Sequence, residues 1–245
     1  MEDLKISKRL QKVASLVKQG NVVADIGTDH GYLPIYIVKN GVSDKVIAMD
    51  VRKGPLQKAV ENVASYGVKD NIDIRLSDGL EKLSKNEADT ITICGMGGRL
   101  IQSILEKGKS KYNAKTQLIV SPQSEIRDFR KYLLDEGFHI SGEYMLREEG
   151  QFYLIIDCFY IGSIDNNICD LSDDLLCETH LRYGKMLLES RCPCLYEYMQ
   201  KERQTVTSVL EKIESLRSDE DAVLKRISQL QRDIECLDRA QKYYE

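Results

Sequence analysis

The sequence predicts an α/β fold: a parallel sheet wound by right-handed crossovers, closed by an antiparallel hairpin and followed by an all-α coiled-coil hairpin. Three observations carry this reading. Short apolar strands alternate with amphipathic helices from residue 22 to residue 136. Two strand-like runs then follow with no helix between them, and residues 206–237 space their apolar side chains 3 or 4 apart on either side of one interruption.

Ile6, Leu10, Val13 and Val17 fall at steps of 4, 3 and 4, one face of a helix, with Lys5, Lys8, Arg9 and Lys12 largely elsewhere. An N-terminal amphipathic helix with a basic side follows, stopped by Gly20 and Asn21. Residues 22–26 (Val-Val-Ala-Asp-Ile) read as a buried strand ending in a Gly-containing turn, and residues 32–39 as a helix that tolerates Pro34 in its first turn. The pattern repeats with strands at 45–50, 72–76, 90–94 and 117–120, and helices at 55–66, 99–107 and 126–136. Beyond Gly137, residues 139–147 and 152–160 are joined by Glu148-Glu149-Gly150-Gln151 as a hairpin.

Residues 162–170 are a polar connector, which sets a boundary near residue 165 between domains 1–165 and 166–245. Val206, Val209, Ile213 and Leu216, then Val223, Ile227, Leu230, Ile234 and Leu237, form a heptad seam. Ser218 is placed to cap the second run, with Asp221 at the capping-box position. Two helices folded back on each other explain both runs.

Composition narrows the function. With 42% hydrophobic residues the chain is too apolar for disorder, and 35 Lys plus Arg against 39 Asp plus Glu give a net charge of −4. Any nucleic-acid contact has to be a local patch. No apolar run approaches the roughly 20 residues that cross a bilayer, and the N-terminus lacks the apolar core of a signal peptide, so a cytoplasmic protein without membrane contact is expected. Seven scattered cysteines do not read as a disulfide framework. Cys192-Pro193-Cys194 with Cys177 and His180 is the one conceivable metal cluster, its spacing fits no zinc motif, and no metal is expected.

The chemistry-bearing turns follow successive strands. The first strand ends in Asp25-Ile26-Gly27-Thr28-Asp29-His30-Gly31, a DxGxDxG pattern where dinucleotide folds carry GxGxxG. A carboxylate there repels a pyrophosphate and attracts an ammonium or sulfonium group, which points to S-adenosyl-L-methionine. Asp50 ends the second strand, where an acid accepts both ribose hydroxyls of an adenosine, and Ser77-Asp78-Gly79 follows the third, placing an acid near an adenine amino group. An isolated Asp before Gly is usually only a turn residue; three in register after three strands line one carboxyl edge. The fourth strand ends in Cys94-Gly95-Met96-Gly97-Gly98, glycines that allow close approach of a base or cofactor or simply start the next helix. The Asn or Asp followed by two prolines and an aromatic, which helps an amine lose its proton, is absent there.

These residues resemble the bacterial tRNA (adenine-22-N1)-methyltransferases. The resemblance rests on residues 4–10 (Leu-Lys-Ile-Ser-Lys-Arg-Leu), on residues 24–34 from Ala24-Asp25 to Leu33-Pro34, on Asp78-Gly79-Leu80 and on residues 88–98 ending in Gly95-Met96-Gly97-Gly98. Order and spacing match over nearly the whole chain, helical tail included. Two departures stand out: Gly31 where the family has Ala, and Ser121-Pro122-Gln123 where it has Gln-Pro-Asn, which leaves a base-contacting role for Gln123 open.

The resemblance implies a Rossmann-like class I methyltransferase sheet with a C-terminal coiled-coil extension, moving methyl from S-adenosyl-L-methionine to adenine N1 in tRNA. The site it implies has Arg9, Asp25, Gly27, Asp50, Asp78, Gly79, Cys94, Gly95 and Met96 around the cofactor. Asp29 then stabilises the cationic product ring, with His30 and Tyr32 as candidates to orient or stack on the base. Lys107, Lys109, Lys111 and Lys115 around Tyr112, with Arg127, Arg130 and Lys131, are the expected tRNA contacts on the substrate half of the sheet. A monomer is expected. The competing readings are a methyltransferase of the same fold acting on a small molecule, and a cofactor-binding interaction protein that uses its coiled coil.

Overall fold

The computed structural model describes residues 4–162, 173–215 and 220–245. Its strands are β1 (Val23–Ile26), β2 (Val46–Asp50), β3 (Ile72–Leu76), β4 (Thr90–Met96), β5 (Gln117–Pro122), β6 (Phe138–Glu148) and β7 (Gln151–Tyr160). They form one seven-stranded sheet in the order β3-β2-β1-β4-β5-β7-β6. The first five are parallel, and β7 runs antiparallel to both β5 and β6. Val23–Ile26 and Val46–Asp50 are buried at every position, as strands covered by helices on both faces must be.

Helices α1 (Lys8–Leu16), α2 (Tyr32–Lys39), α3 (Lys53–Ser65), α4 (Gly98–Lys107) and α5 (Ile126–Asp135) lie in the first unit. Each strand predicted in this region is present, with ends that differ by a residue or two. The first helix starts at Lys8, where the Ser7 hydroxyl accepts from the Leu10 N–H, two residues later in the chain than the apolar periodicity begins at Ile6. The crossovers step outward from β1 to β3 and then return to set β4 on the other side of β1, so the strand order turns between β1 and β4, and a crevice opens at their carboxyl ends.

By internal contacts the chain divides into residues 1–165 and 166–245. The second unit holds α6 (Asp174–Tyr183), α7 (Lys185–Glu189), α8 (Pro193–Ser215) and α9 (Asp221–Gln241), with a 3-10 turn at Lys242–Tyr244. Arg203 Nη2 lies 2.6 Å from Asp238 Oδ1 and the rings of Tyr196 and Tyr244 lie 5.0 Å apart, pairings that advance in opposite directions along α8 and α9. The two helices are therefore antiparallel. Leu230 and Leu237 of the seam are buried, whereas Val206, Val209 and Ile213 are half-covered. The expected plain hairpin is incomplete: α6 packs on α9 and α7 on the terminal 3-10 turn, so a small bundle closes the base of the hairpin. Periodicity misses these helices because α6 buries Thr179 and His180 alongside Leu181 and Tyr183.

Ser218 and Leu216 lie outside the described residues, as does most of the 162–170 connector. Glu220 takes the N-cap position of α9 without a side-chain cap, so Asp221 opens the helix instead of completing a capping box. Cys94, Cys158, Cys192, Cys194 and Cys236 are thiols, but Cys177 is disulfide-bonded, a departure from the all-thiol expectation that spacing cannot reveal because bridging depends on Cα separation in space. Among the described residues no helix is long and apolar enough to cross a membrane, and no group of three or more His, Cys, Asp or Glu is placed to hold a metal ion.

Candidate active site

The crevice at the carboxyl edge is a cleft of about 510 Å³. Every cofactor residue expected from the sequence lines it: Arg9, Asp25, Gly27, Asp50, Asp78, Gly79, Cys94, Gly95 and Met96. Asp29 and Tyr32 line it too, and His30 does not. Val51, Arg52 and Leu100 also line it, although sequence reasoning gave them no role, and Gln123, whose role the sequence left open, joins them. Val51, Arg52 and Leu100 each follow, within two turns, a strand end already marked by an acid or glycine, which is the signal that could have found them; Gln123 follows β5, whose end carries neither.

Local hydrogen bonds shape the first turn. The N–H groups of Gly27 and Thr28 both donate to Met49 O, at 2.8 and 3.0 Å, which ties the exit of β1 to the last turn of β2. Gly27 is in the left-handed region at φ 77°, where an L side chain is strained, and a Cβ there would also push aside the Met96 methyl group, so glycine is favoured. Asn62 on α3 donates to His30 O at 2.9 Å and holds His30 at φ 61°. The His30 ring stacks on Tyr32, with centroids 5.8 Å apart and planes 8° apart, and its Nε2 lies 3.5 Å from Asp29 Oδ1. His30 thus contacts two lining residues without itself lining the cleft.

Electrostatics differ sharply among the acids. Asp25 is buried and accepts from the Thr92 hydroxyl at 2.7 Å. Burial pushes its carboxyl above the ordinary range, the Thr92 hydroxyl opposes, and the Asp50 carboxylate adds to the rise. Asp50, also buried, takes the Arg52 N–H on Oδ1 at 2.8 Å. Asp29 is 64% exposed at the mouth. The Cys94 thiol is pushed up to about 12, chiefly by burial, so this residue offers a neutral surface and no thiolate nucleophile.

One cationic donor of the cleft is left over. Arg9 Nη1 is buried and has no hydrogen-bond partner among the described residues, while the guanidinium sits over the Tyr153 ring at 4.9 Å. A buried unsatisfied guanidinium nitrogen costs free energy unless an acceptor arrives from outside the chain. Arg9 Nη1 and Gln123 Nε2 each lie 3.7 Å from the point a Cβ on Gly95 would occupy, so Gly95, at φ 80°, leaves an open face between them.

The other glycines of that turn serve packing. A Cβ on Gly97 would meet Ser124 Oγ at 2.8 Å, and one on Gly98 would meet Ser124 O at 2.8 Å. Gly97 and Gly98 let α4 start against the loop after β5, and only Gly95 faces the cleft. The lysine loop lies away from the cleft. The α4 helix runs back from the carboxyl edge, so the loop after it leads to the amino end of β5, where Gln117 N–H donates to Asp89 O. Lys109 pairs with Glu136 at 3.0 Å, Lys111 reaches Glu81 O at 3.3 Å, and Tyr112 is buried. Arg130 is buried against Glu143 at 2.7 Å, and Lys131 pairs with Asp135 at 2.7 Å.

A wound parallel sheet with acids after three successive strands and an orphaned cationic donor facing them defines a Rossmann-like methyltransferase. Residues 6–156 match the family model described as methyltransferase domain. The tRNA (adenine(22)-N(1))-methyltransferase of Bacillus subtilis (strain 168) is 44% identical over 156 residues, 64% of this chain and 66% of that protein. The matched stretch thus spans about two thirds of that curated relative. Crystal structures agree over nearly full length: the B. subtilis tRNA methyltransferase TrmK at 34% identity, with 97% of this chain and 99% of that one covered and a TM-score of 0.87. A putative tRNA (m1A22) methyltransferase of Streptococcus pneumoniae, in complex with S-adenosyl-L-methionine, is 36% identical with 95% and 100% covered and a TM-score of 0.78. The chain belongs to the TrmK family of methyltransferases.

Proposed function

We propose that the chain transfers the methyl group of S-adenosyl-L-methionine to N1 of an adenine in tRNA, at position 22. The observation that carries this is the likeness over nearly the whole chain to TrmK structures, joined to a cleft whose uncommitted groups suit that cofactor. Asp50 keeps one carboxylate oxygen for the ribose hydroxyls, and Asp78 beside Gly79 suits the adenine amino group. Val51 and Leu100, both exposed and apolar, cover the faces of the adenine. Arg9 Nη1 takes the methionine carboxylate, and Asp25 favours the cationic end.

The bound cofactor supplies an activated methyl group on a sulfonium sulfur. Neutral adenine N1 has a free lone pair, so no residue need remove a proton before attack, which accords with the proton-accepting motif missing after β4. Methylation leaves the ring cationic, and Asp29 at the mouth stabilises that charge as it grows. Tyr32, backed by His30, gives the base a flat face. A tRNA substrate supports a cytoplasmic location, and the reading takes the chain to act as a monomer. Residues 1–165 carry catalysis in this reading, and the helical residues 166–245 assist in holding the substrate.

The test is direct. Incubated with labelled methyl donor and unmodified tRNA, the chain should label tRNA and create a reverse-transcription stop at adenine 22. Labelling of a small molecule without RNA, or cofactor binding without transfer, would replace the reading.

A further inference from the structure

We infer that Gln123 is the residue that recognises the target base as adenine, by pairing its side-chain amide with the N6 and N7 edge of the ring. This rests on the proposed adenine-N1 methylation. It deepens that reading by assigning base selection to a residue with no other role in the chain.

Gln123 lines the cleft just beyond β5. Its backbone is fixed, because its N–H donates to Met96 O at 2.9 Å and the preceding Pro122 is buried in register with Met96. Its side-chain amide has no hydrogen-bond partner among the described residues, and Nε2 lies by the open face of Gly95, across from Arg9 Nη1. The adenine edge that carries N6 and N7 presents one donor and one acceptor on separate atoms. Reading that edge requires an acceptor and a donor likewise on separate atoms.

Among the side chains of the described cleft-lining residues only Gln123 offers this. Asp25, Asp29, Asp50 and Asp78 accept when ionised, Arg9 and Arg52 only donate, and Tyr32 has a single hydroxyl. Ser77 is committed, donating to Gly79 O and accepting from the Lys82 N–H. The geometry of the reaction selects the edge. N1 must keep its lone pair for the methyl group, so a contact through N1 and N6 would block transfer, whereas one through N6 and N7 leaves N1 free. A guanine offers two acceptors there, O6 and N7, and would leave the amide oxygen of Gln123 facing an acceptor.

The experiment crosses the residue with the atom. Full-length parent and Gln123→Ala are assayed by single-turnover methyl transfer on tRNA carrying adenine or 7-deazaadenine at the modified position, with cofactor affinity measured by calorimetry. A bidentate contact of this kind implies a loss of about 10- to 100-fold in transfer for Gln123→Ala on adenine, with cofactor affinity unchanged. The parent should lose about 10-fold on 7-deazaadenine, and Gln123→Ala should be indifferent to that replacement. A variant that is as sensitive to N7 as the parent, or that methylates adenine at the parental rate, overturns the contact while leaving the methylation intact. A parent that methylates no tRNA overturns the function itself, and the contact with it. Circular dichroism and the retained cofactor affinity separate either result from misfolding.

Discussion

The acids of the cleft share a residue type and differ in what surrounds them, which is what decides their work. Asp25 sits under Thr92 with its carboxyl raised by burial, whereas Asp29 is open at the mouth. A carboxyl whose folded pKa is raised gives stability that is present below the unfolded range and lost as pH rises through the raised value. Asp25→Asn removes that loss, and the amide oxygen still accepts from Thr92. The variant should therefore unfold at an equal or higher temperature than the parent at pH 7.5, with the gap closing as pH falls through the raised value, while cofactor affinity drops about 10-fold or more. A lower unfolding temperature at pH 7.5 would mean that the ionised carboxylate is itself stabilising. Asp29→Ala should instead keep cofactor binding within about a few-fold and slow methyl transfer by roughly two orders of magnitude. Near-normal turnover would remove Asp29 from the mechanism. At this scale the sequence was legible where an acid or glycine ends a strand, because strand ends dictate where those side chains point. It was not legible for His30, whose backbone carbonyl is held by Asn62, 32 residues away on another helix, nor for Gln123, which no pattern marks until β5 places it beside Gly95.

Elements were readable to the extent that their burial is periodic. The strands are short apolar runs with helices on both faces, and the closing hairpin declared itself by the missing helix between two runs. What holds α5 to β6 was not readable. Arg130 and Glu143 are 13 residues apart and both nearly inaccessible, with 2.7 Å between Arg130 Nε and Glu143 Oε1. In sequence Arg130 looked like one more surface cation, since its burial comes from the helix lying flat on the sheet. Removing one partner of a buried pair leaves an uncompensated charge, so Glu143→Ala should cost about 3–5 kcal/mol in urea unfolding. Replacing both residues with apolar side chains of similar volume, Arg130→Met with Glu143→Leu, should recover most of that loss. If the single and double variants unfold alike, the pair is not the clamp between these elements. The helices α6 and α7 were hidden for a related reason: their buried residues include Thr179 and His180, and His180 Nε2 finds the Tyr243 hydroxyl at 2.8 Å near the opposite end of the unit's sequence.

For the whole molecule, charge placement matters more than the net charge of −4. Arg182, Arg203, Arg232 and Arg239 of the helical unit are all engaged in ion pairs, so that unit offers phosphate few uncommitted arginines. In the first unit the helices α1, α2, α3 and α4 start at the carboxyl edge, and none has an acid in its first turn. Exposed Lys8, Lys53 and Arg99 stand there instead, against the usual preference for negative charge at a helix N-terminus. Cations that oppose the helix dipole around the mouth of a cleft match the polyanion the proposed reaction brings to it. The lysines after α4 lie toward the other end of the sheet, partly spent on Glu136 and Glu81. Removing one cation that neutralises a phosphate lowers the salt slope of binding by about 1. Lys53→Ala and Arg99→Ala should therefore each flatten the dependence of tRNA affinity on salt by about that amount, and Lys109→Ala with Lys111→Ala should leave it unchanged. The opposite pattern would show that the tRNA backbone runs along the amino edge.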